Sequence, residues 1–310
     1  IMIKKLNESE IINSGNHGVS FGIAPINWSN DDMPELGGHY TLDTILSEMS
    51  QAGYSGTEIG NKFPKDSFGI KKALTNFNLE LASSWHSTFF LSKNLHYELE
   101  KIKHKSSLLV EAGAKIINLA ECSASVHGKI NTPLSSKPVC NEKNWGILTE
   151  SLNHAGEICN EHGISMAFHH HMGTCVQNEN ELNRLLSDTD PELVNLCADT
   201  GHLYFAGIDP VIFFKENMRR IKHIHFKDLR HDIFNNINFD KTSFLNAVLK
   251  GVFTVPGDGC IDFNSISKVI IKSEYNGWVI VEAEQNPDIA NPFEYARKSK
   301  QYLNNIWRNY

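Results

Sequence analysis

A short apolar segment, residues 221–228, carries polar side chains at every second position. Side chains two apart in a β-strand share a face, so His223, His225 and Lys227 would point one way and Ile224 and Phe226 the other. Two imidazoles and an ammonium group on one face of a buried strand are costly unless they share partners. We therefore interpret this strand as part of a candidate active site.

Three other apolar runs also end in polar side chains. They are residues 164–168 before the histidines at 169–171, residues 193–198 before the run Asp199-Thr200-Gly201-His202, and residues 277–281 before Glu282 and Glu284. Imidazole together with carboxylate is a ligand set suited to zinc, manganese, cobalt or iron. The sequence thus predicts one divalent metal site assembled from four strand ends.

We expect four side chains to bind this ion: His169, Asp199, His225 and Glu282. The two carboxylates would supply anionic oxygens and the two imidazoles neutral nitrogens. His169 and His171 share a face of their strand, and we prefer His169 as the ligand because it is closer to the strand. His171 would then lie one step higher, toward a substrate.

Strand and helix patterns alternate eight times along the chain. The predicted strands are 19–26, 56–59, 80–85, 115–120, 164–168, 193–198, 221–226 and 277–281. The predicted helices are 41–52, 67–77, 96–112, 142–161, 179–187, 210–218, 263–274 and 292–307, with a shorter one at 242–250 inside the longest connection. This alternation implies a parallel sheet.

Eight such units in roughly 250–300 residues are typical of a closed (β/α)8 TIM barrel, which we predict as a single domain over residues 1–310. The alternative is an open doubly wound sheet, but no glycine-rich phosphate turn follows the first strand. Barrel active sites lie at the C-terminal ends of the strands, where all four polar runs occur. We expect the loops 27–38 and 228–261 to cover that end.

Composition narrows the range of partners. The net charge of −7 argues against a nucleic-acid groove, which needs a basic face. No apolar stretch approaches the roughly 18 residues of a membrane span, and no signal-peptide pattern opens the sequence. The six cysteines include no CxxC pair, so we expect no disulfides and a cytoplasmic protein.

A metal held in this way can polarise a carbonyl and an adjacent hydroxyl, while a positioned side chain moves the proton between them. This chemistry serves isomerisation, epimerisation or loss of water from a polyol ketone. The expected catalytic residues are His171, Lys227, Glu58 and Glu284, and the expected substrate-binding residues are Asn27, Trp28, His86 and His202. An ordinary hydrogen-bonding role for Glu58 and a packing role for Trp28 are the alternatives.

Several runs carry a family resemblance. Residues 199–202, the His-x-His-x-Lys-Asp pattern of 223–228, and residues 256–259 with Asp262 and Phe263 resemble the xylose-isomerase-like barrel superfamily of sugar isomerases, epimerases and apurinic endonucleases. Within it, residues 21–28 with Asn30 and Asp31, residues 53–60, 168–174 and 281–285 are similar to the inosose dehydratase family. The likeness extends over nearly the whole chain.

The resemblance implies a hydro-lyase of inositol catabolism that converts scyllo-inosose (2-keto-myo-inositol) to 3D-3,5/4-trihydroxycyclohexane-1,2-dione. It further implies manganese or cobalt as the metal, with zinc as an option, and glutathione as a cofactor. A homo-oligomer is compatible with it.

In the superfamily's epimerases a glutamate stands where this chain has His169, which favours elimination over two-sided proton transfer. A sugar or ketose isomerase or epimerase and a non-catalytic polyol-binding protein are the alternative functions.

Overall fold

The predicted strands form a closed parallel barrel in the computed structural model, which describes residues 18–308 and 310. The barrel strands are β1 (Val19–Ile23), β2 (Gly56–Ile59), β3 (Glu80–Thr88), β4 (Ile116–Glu121), β5 (Ser165–His169), β6 (Asn195–Asp199), β7 (Ile221–Phe226) and β10 (Gly277–Val281). Each strand pairs with the next in the chain, and β10 closes the barrel against β1. The predicted (β/α)8 fold is thereby confirmed. Residues 1–17 and 309 of the predicted domain span lie outside the described residues.

Helices connect the strands. They are α1 (Leu42–Gln51), α2 (Ser67–Thr75), α3 (Leu95–Ala112), α4 (Glu142–Glu161), α5 (Glu179–Asp188), α6 (Thr200–Phe205), α7 (Pro210–Asn217), α8 (His231–Phe234), α9 (Phe244–Leu249), α10 (Phe263–Lys272) and α11 (Pro292–Trp307). Most begin after a short polar side chain that accepts a backbone N–H of the first turn; at α5, Asn178 and Glu181 form a full capping box. Over the part of the chain that the structure describes, no helix combines the length and apolarity needed to cross a membrane.

The alternation predicted for β7 is present. Phe226 packs outward on Phe263 of α10, with ring centroids 4.9 Å apart. His223 and His225 point into the barrel, where both contact Glu58 of β2. The apolar side chains of the strands thus fill the layer between the barrel and the helices, and the polar side chains converge inside the barrel.

Two strand ends differ by three residues from the sequence-based expectation, while the other predicted bounds agree to within two residues. The first strand ends at Ile23 rather than at residue 26, because Pro25 lacks an N–H donor and begins a 3₁₀ turn, Pro25–Asn27. The third strand continues beyond Trp85 to Thr88, since its last residues pair with β4.

The connection 228–261 is more ordered than an open loop. Two short strands, β8 (Asp228–Leu229) and β9 (Phe253–Thr254), pair antiparallel across it. The Asp228 carboxylate accepts backbone N–H groups from Leu229, Gly257, Gly259 and Ile261 at 2.8–3.1 Å. These four hydrogen bonds hold the beginning and the end of the connection together, next to the end of β7.

His86 lies on the outer face of β3, contrary to its expected substrate contact. Its neighbour Trp85 lines the central cavity, so the strand's alternation directs His86 toward α3, where Lys101 and Lys105 lie nearby. Burial lowers the pKa of His86 to about 4, and the two ammonium groups act in the same direction. The imidazole is therefore a neutral packing group.

This placement predicts a pH effect on stability. In the unfolded chain His86 becomes protonated near pH 6.5, whereas in the folded chain it becomes protonated only near pH 4. The free energy of unfolding should therefore fall as pH decreases through this window. The expected contribution between pH 7 and pH 4.5 is about 2–3 kcal/mol. Urea titrations in chelator should show a smaller loss for His86→Asn than for the wild type. An equal loss in both proteins would contradict the prediction.

Candidate active site

A cavity of about 260 Å³ opens among the C-terminal ends of the barrel strands. Its lining includes Glu58, His169, His171, His225, Glu282 and Glu284, which belong to or directly follow β2, β5, β7 and β10. Ligand pockets for drug-sized molecules usually measure roughly 300–1,000 Å³, so this cavity suits a compact substrate. It occupies the end of the barrel where the sequence predicted the site.

The four expected metal ligands come together beside this cavity. His225 Nδ1 lies 2.8 Å from Glu282 Oε2 and 3.7 Å from Asp199 Oδ2, and His169 Nε2 lies 3.6 Å from the same Asp199 oxygen. His225 Nδ1 and Asp199 Oδ2 are buried, and neither forms a hydrogen bond with any described residue. Buried polar atoms that converge without hydrogen bonding are expected where a cation is shared, so the donor set fits a divalent ion.

Lys227 lies fully buried behind this cluster. Its Nζ is 2.7 Å from both Glu282 Oε1 and Glu284 Oε1, and 3.3 Å from Asp199 Oδ2. Burial alone would lower the pKa of Lys227, but the three carboxylates raise it well above its ordinary value. The residue is thus a permanent cation that joins the ends of β6 and β10. Lys227 is absent from the cavity lining, so its expected contact with the substrate oxygen stays a prediction.

Glu284 follows β10 and faces the cavity. Burial raises the pKa of its carboxyl to about 7, although the Lys227 ammonium acts in the opposite direction. Lys227 Nζ donates a hydrogen bond to it at 2.7 Å. His202, the remaining neighbour of this pair, is fully buried with Nε2 3.1 Å from Lys227 Nζ, and it lies behind the cavity wall rather than on it.

His171 presents one ring nitrogen as a potential base. Its Nδ1 lies 2.8 Å from the Met172 carbonyl oxygen, which can only accept, so the ring proton is on Nδ1. Nε2 therefore carries a free lone pair. Burial lowers the pKa of His171 well below its ordinary value, and the rings of His127 and His169 add to this effect. The imidazole is neutral and can accept a proton.

Glu58 is held by several donors at one oxygen. Oε1 lies 2.8 Å from His223 Nε2, 3.1 Å from His225 Nε2 and 3.0 Å from Asn118 Nδ2, and it also accepts from Ser83 Oγ. Burial would raise the pKa of Glu58, but the two imidazoles hold it well below the usual range. The Glu58 carboxylate is ionised, and its Oε1 already accepts several hydrogen bonds. It is therefore less suited to carry a proton than His171 or Glu284.

Asn27 and Trp28 do not line the cavity. Trp28 is fully buried, and its Nε1 donates to Glu48 Oε2 of α1 at 2.6 Å, so its indole anchors the loop after β1. Asn27 Oδ1 accepts the backbone N–H of Ala283 at 3.0 Å. It therefore positions the backbone between Glu282 and Glu284.

The sequence interpretation missed other residues of the lining: Asp31, Asp32, Ser87, Asn118 and His127. Asn118 has a local signal, because alternation along β4 directs it inward. His127 has none; it belongs to the long connection after β4. A hydrogen bond from Val126 N to Gly173 O at 2.8 Å brings that connection onto the loop of His171.

Comparisons with known proteins agree with this architecture. Residues 46–306 match the family described as xylose isomerase-like TIM barrel. A solved structure of an IOLI protein with a binding zinc atom is similar over 94% of this chain and 98% of that one, with a TM-score of 0.66 and 14% sequence identity. Similarity at this level of identity demonstrates a shared fold.

Two sequence relatives are much closer. An inosose dehydratase of Geobacillus thermodenitrificans is 47% identical over 286 residues, which is 92% of this chain and 96% of that protein. An inosose dehydratase of Clostridium beijerinckii is 47% identical over 287 residues, with the same coverage of both chains. Because the identity extends along almost the full length of both partners, the chain belongs to the inosose dehydratase family of xylose isomerase-like TIM barrels.

Proposed function

We propose that this chain is a metal-dependent hydro-lyase that removes water from scyllo-inosose and forms 3D-3,5/4-trihydroxycyclohexane-1,2-dione. The two sequence relatives are named inosose dehydratase. The observation that carries the proposal is the convergence, beside a compact cavity, of Glu282 with buried atoms of Asp199 and His225 that form no hydrogen bond with any described residue. A small polyhydroxylated ring ketone matches both the size and the polarity of that cavity.

His169, Asp199, His225 and Glu282 are the residues that would hold the ion. Four buried carboxylates face this region, Glu58, Asp199, Glu282 and Glu284, but the only ammonium they contact among residues 18–308 and 310 is that of Lys227. Buried charges are stable only when they are compensated, and a divalent cation supplies the missing positive charge.

When bound, a divalent ion supplies Lewis-acid polarisation of a carbonyl. The resemblance to the family suggests manganese or cobalt, while the structurally similar IOLI protein contains zinc. The ligand set of two imidazoles and two carboxylates is compatible with each of these metals.

The chain's own residues would move the protons. His171 lines the cavity with its Nε2 lone pair free, so it is the group best placed to remove the proton next to the ketone. Glu284 lines the same cavity and is held by the Lys227 ammonium, and we assign it to protonation of the departing hydroxyl. Lys227 positions both Glu282 and Glu284 from behind the cavity.

The ligand assignment predicts metal loss in single variants. Asp199→Asn and Glu282→Gln should lower metal content after dialysis, measured by mass spectrometry of the ion, because each removes an anionic ligand. In the wild type, a saturating ion should raise the melting temperature, since binding to the folded state at a hundred times Kd stabilises it by about 2.7 kcal/mol.

Glu121→Gln is the matched control for these variants. Glu121 is a buried carboxylate at the end of β4, but its contacts are Thr88, the Phe90 N–H and the Ser123 N–H. It should retain wild-type metal content. Equal metal content in Asp199→Asn and the wild type would refute the assignment.

The reaction is tested by incubating the metal-loaded enzyme with scyllo-inosose and weighing the product by mass spectrometry. We expect a product lighter by one water. If the carbon next to the carbonyl carries deuterium, a primary isotope effect or loss of deuterium from the recovered substrate should appear, because proton removal precedes loss of the hydroxyl. A product of unchanged mass would favour an isomerase or epimerase, and no turnover on a panel of inososes and ketoses would favour a binding protein. Repeating the assay with added glutathione tests whether it contributes.

The role of His171 predicts a loss of rate without a loss of metal. His171→Asn should lower kcat by roughly 10²- to 10⁴-fold, the usual contribution of a positioned base. Its metal content should equal that of the wild type. His104→Asn, which removes an exposed histidine of α3, serves as the control and should keep full activity. Wild-type kcat in His171→Asn would exclude this residue as the base.

A further inference from the structure

The bonds around Glu58 point to a function other than proton transfer. We infer that Glu58 is a positioning residue, which accepts the Nε2–H of His225 and thereby directs Nδ1 of that ring toward Asp199 and Glu282. The inference rests on the proposed metal site. It gives Glu58, a residue of β2, the role of selecting which nitrogen of His225 binds the ion.

The two nitrogens of His225 face different carboxylates. Nε2 lies 3.1 Å from Glu58 Oε1, while Nδ1 lies 2.8 Å from Glu282 Oε2 and 3.7 Å from Asp199 Oδ2. A neutral imidazole has one N–H and one lone pair, and only the lone pair can bind a metal. With the proton on Nε2 and donated to Glu58, the lone pair on Nδ1 faces the two expected ligand carboxylates. The opposite tautomer would direct a lone pair at Glu58 and leave no nitrogen for the ion.

Glu58 is itself fixed in place by three other strands. Ser83 of β3, Asn118 of β4 and His223 of β7 all donate to the same Oε1, and Asn118 Nδ2 also donates to Ser83 Oγ at 2.9 Å. A carboxylate oxygen that already accepts this many bonds has little capacity to take a further proton from substrate. The same bonds hold it at one point below His225, as a positioning group requires.

The first test measures metal affinity in the absence of substrate, so that contact of Glu58 with a substrate cannot influence the result. Titration of metal-free protein with zinc should show affinity about 10- to 100-fold weaker in Glu58→Gln, the usual effect of losing a carboxylate that orients a metal-binding histidine. Glu121→Gln should bind with wild-type affinity. Equal affinity in Glu58→Gln and the wild type would overturn the inference.

The second test identifies the nitrogen that carries the proton. In zinc-loaded protein with ¹⁵N-labelled histidine, the ring proton of His225 should be found on Nε2 by NMR and should exchange slowly with solvent. A ring proton on Nδ1 in the wild type would overturn the inference whatever the variants do. This measurement needs no substitution, so it holds even if Glu58→Gln folds poorly.

Glu284→Gln separates orientation from loss of charge. Glu284 is as buried as Glu58, but among the described residues its side chain forms no hydrogen bond or ion pair with His225. The Nε2 proton should stay protected in Glu284→Gln and exchange rapidly in Glu58→Gln. Loss of protection in both would attribute the effect to charge and reject a positioning role. If the wild type itself binds no metal, the proposed function fails first, and that outcome is distinct from the others.

Discussion

Compensation of buried negative charge is the constraint on which the candidate site depends. Glu58, Asp199, Glu282 and Glu284 expose between 0% and 9% of their surface, and a carboxylate in such surroundings is stable only with cationic or hydrogen-bonding partners. The protein distributes these partners unevenly. Glu58 receives two imidazoles and two neutral donors. Glu282, Glu284 and Asp199 share the single ammonium of Lys227, and the imidazoles beside them are the two expected metal ligands His169 and His225 together with His202. The second group is short of positive charge, which is the electrostatic requirement for an ion.

The barrel holds these charges together through small contacts at the strand ends. Thr200 Oγ1 donates to the Lys227 carbonyl at 2.7 Å and accepts the Lys227 N–H at 3.0 Å, which fixes the ends of β6 and β7 side by side. A Cβ atom at Gly201 would approach Lys227 Cγ to 2.6 Å, so a residue with a side chain there would displace the ammonium. Each of three residues in the Asp-Thr-Gly-His run therefore has its own contribution. Asp199 is an expected metal ligand, Thr200 holds the backbone of Lys227, and Gly201 leaves the space through which the Lys227 side chain reaches three carboxylates.

Different surroundings give the carboxylates different roles. Hydrogen-bonded imidazoles keep Glu58 ionised, while burial raises the pKa of Glu284 to about 7. When neighbouring acids have pKa values this far apart, one remains an anion and the other can carry a proton. The division agrees with a positioning role for Glu58 and a proton-donating role for Glu284, beside the neutral imidazole of His171.

The sequence by itself determined the fold and the composition of the expected ligand set, whereas only the tertiary structure decided what several of the other candidates contact. Strand periodicity is a local property, so it correctly directed His223 and His225 to one face of β7, and the strand–helix order implied the barrel that brings Asp199, His225 and Glu282 together. Strand length and pairing are not local. Because β3 begins at Glu80 and pairs with β4 as far as Thr88, Trp85 rather than His86 faces the cavity. Trp28 lies beneath its loop because Glu48 offers its indole an acceptor. The role of Glu58 depends on His223 and His225, which are 165 and 167 residues away from it in the chain. Such contacts form only when the barrel closes, so no short-range pattern in the sequence could specify them.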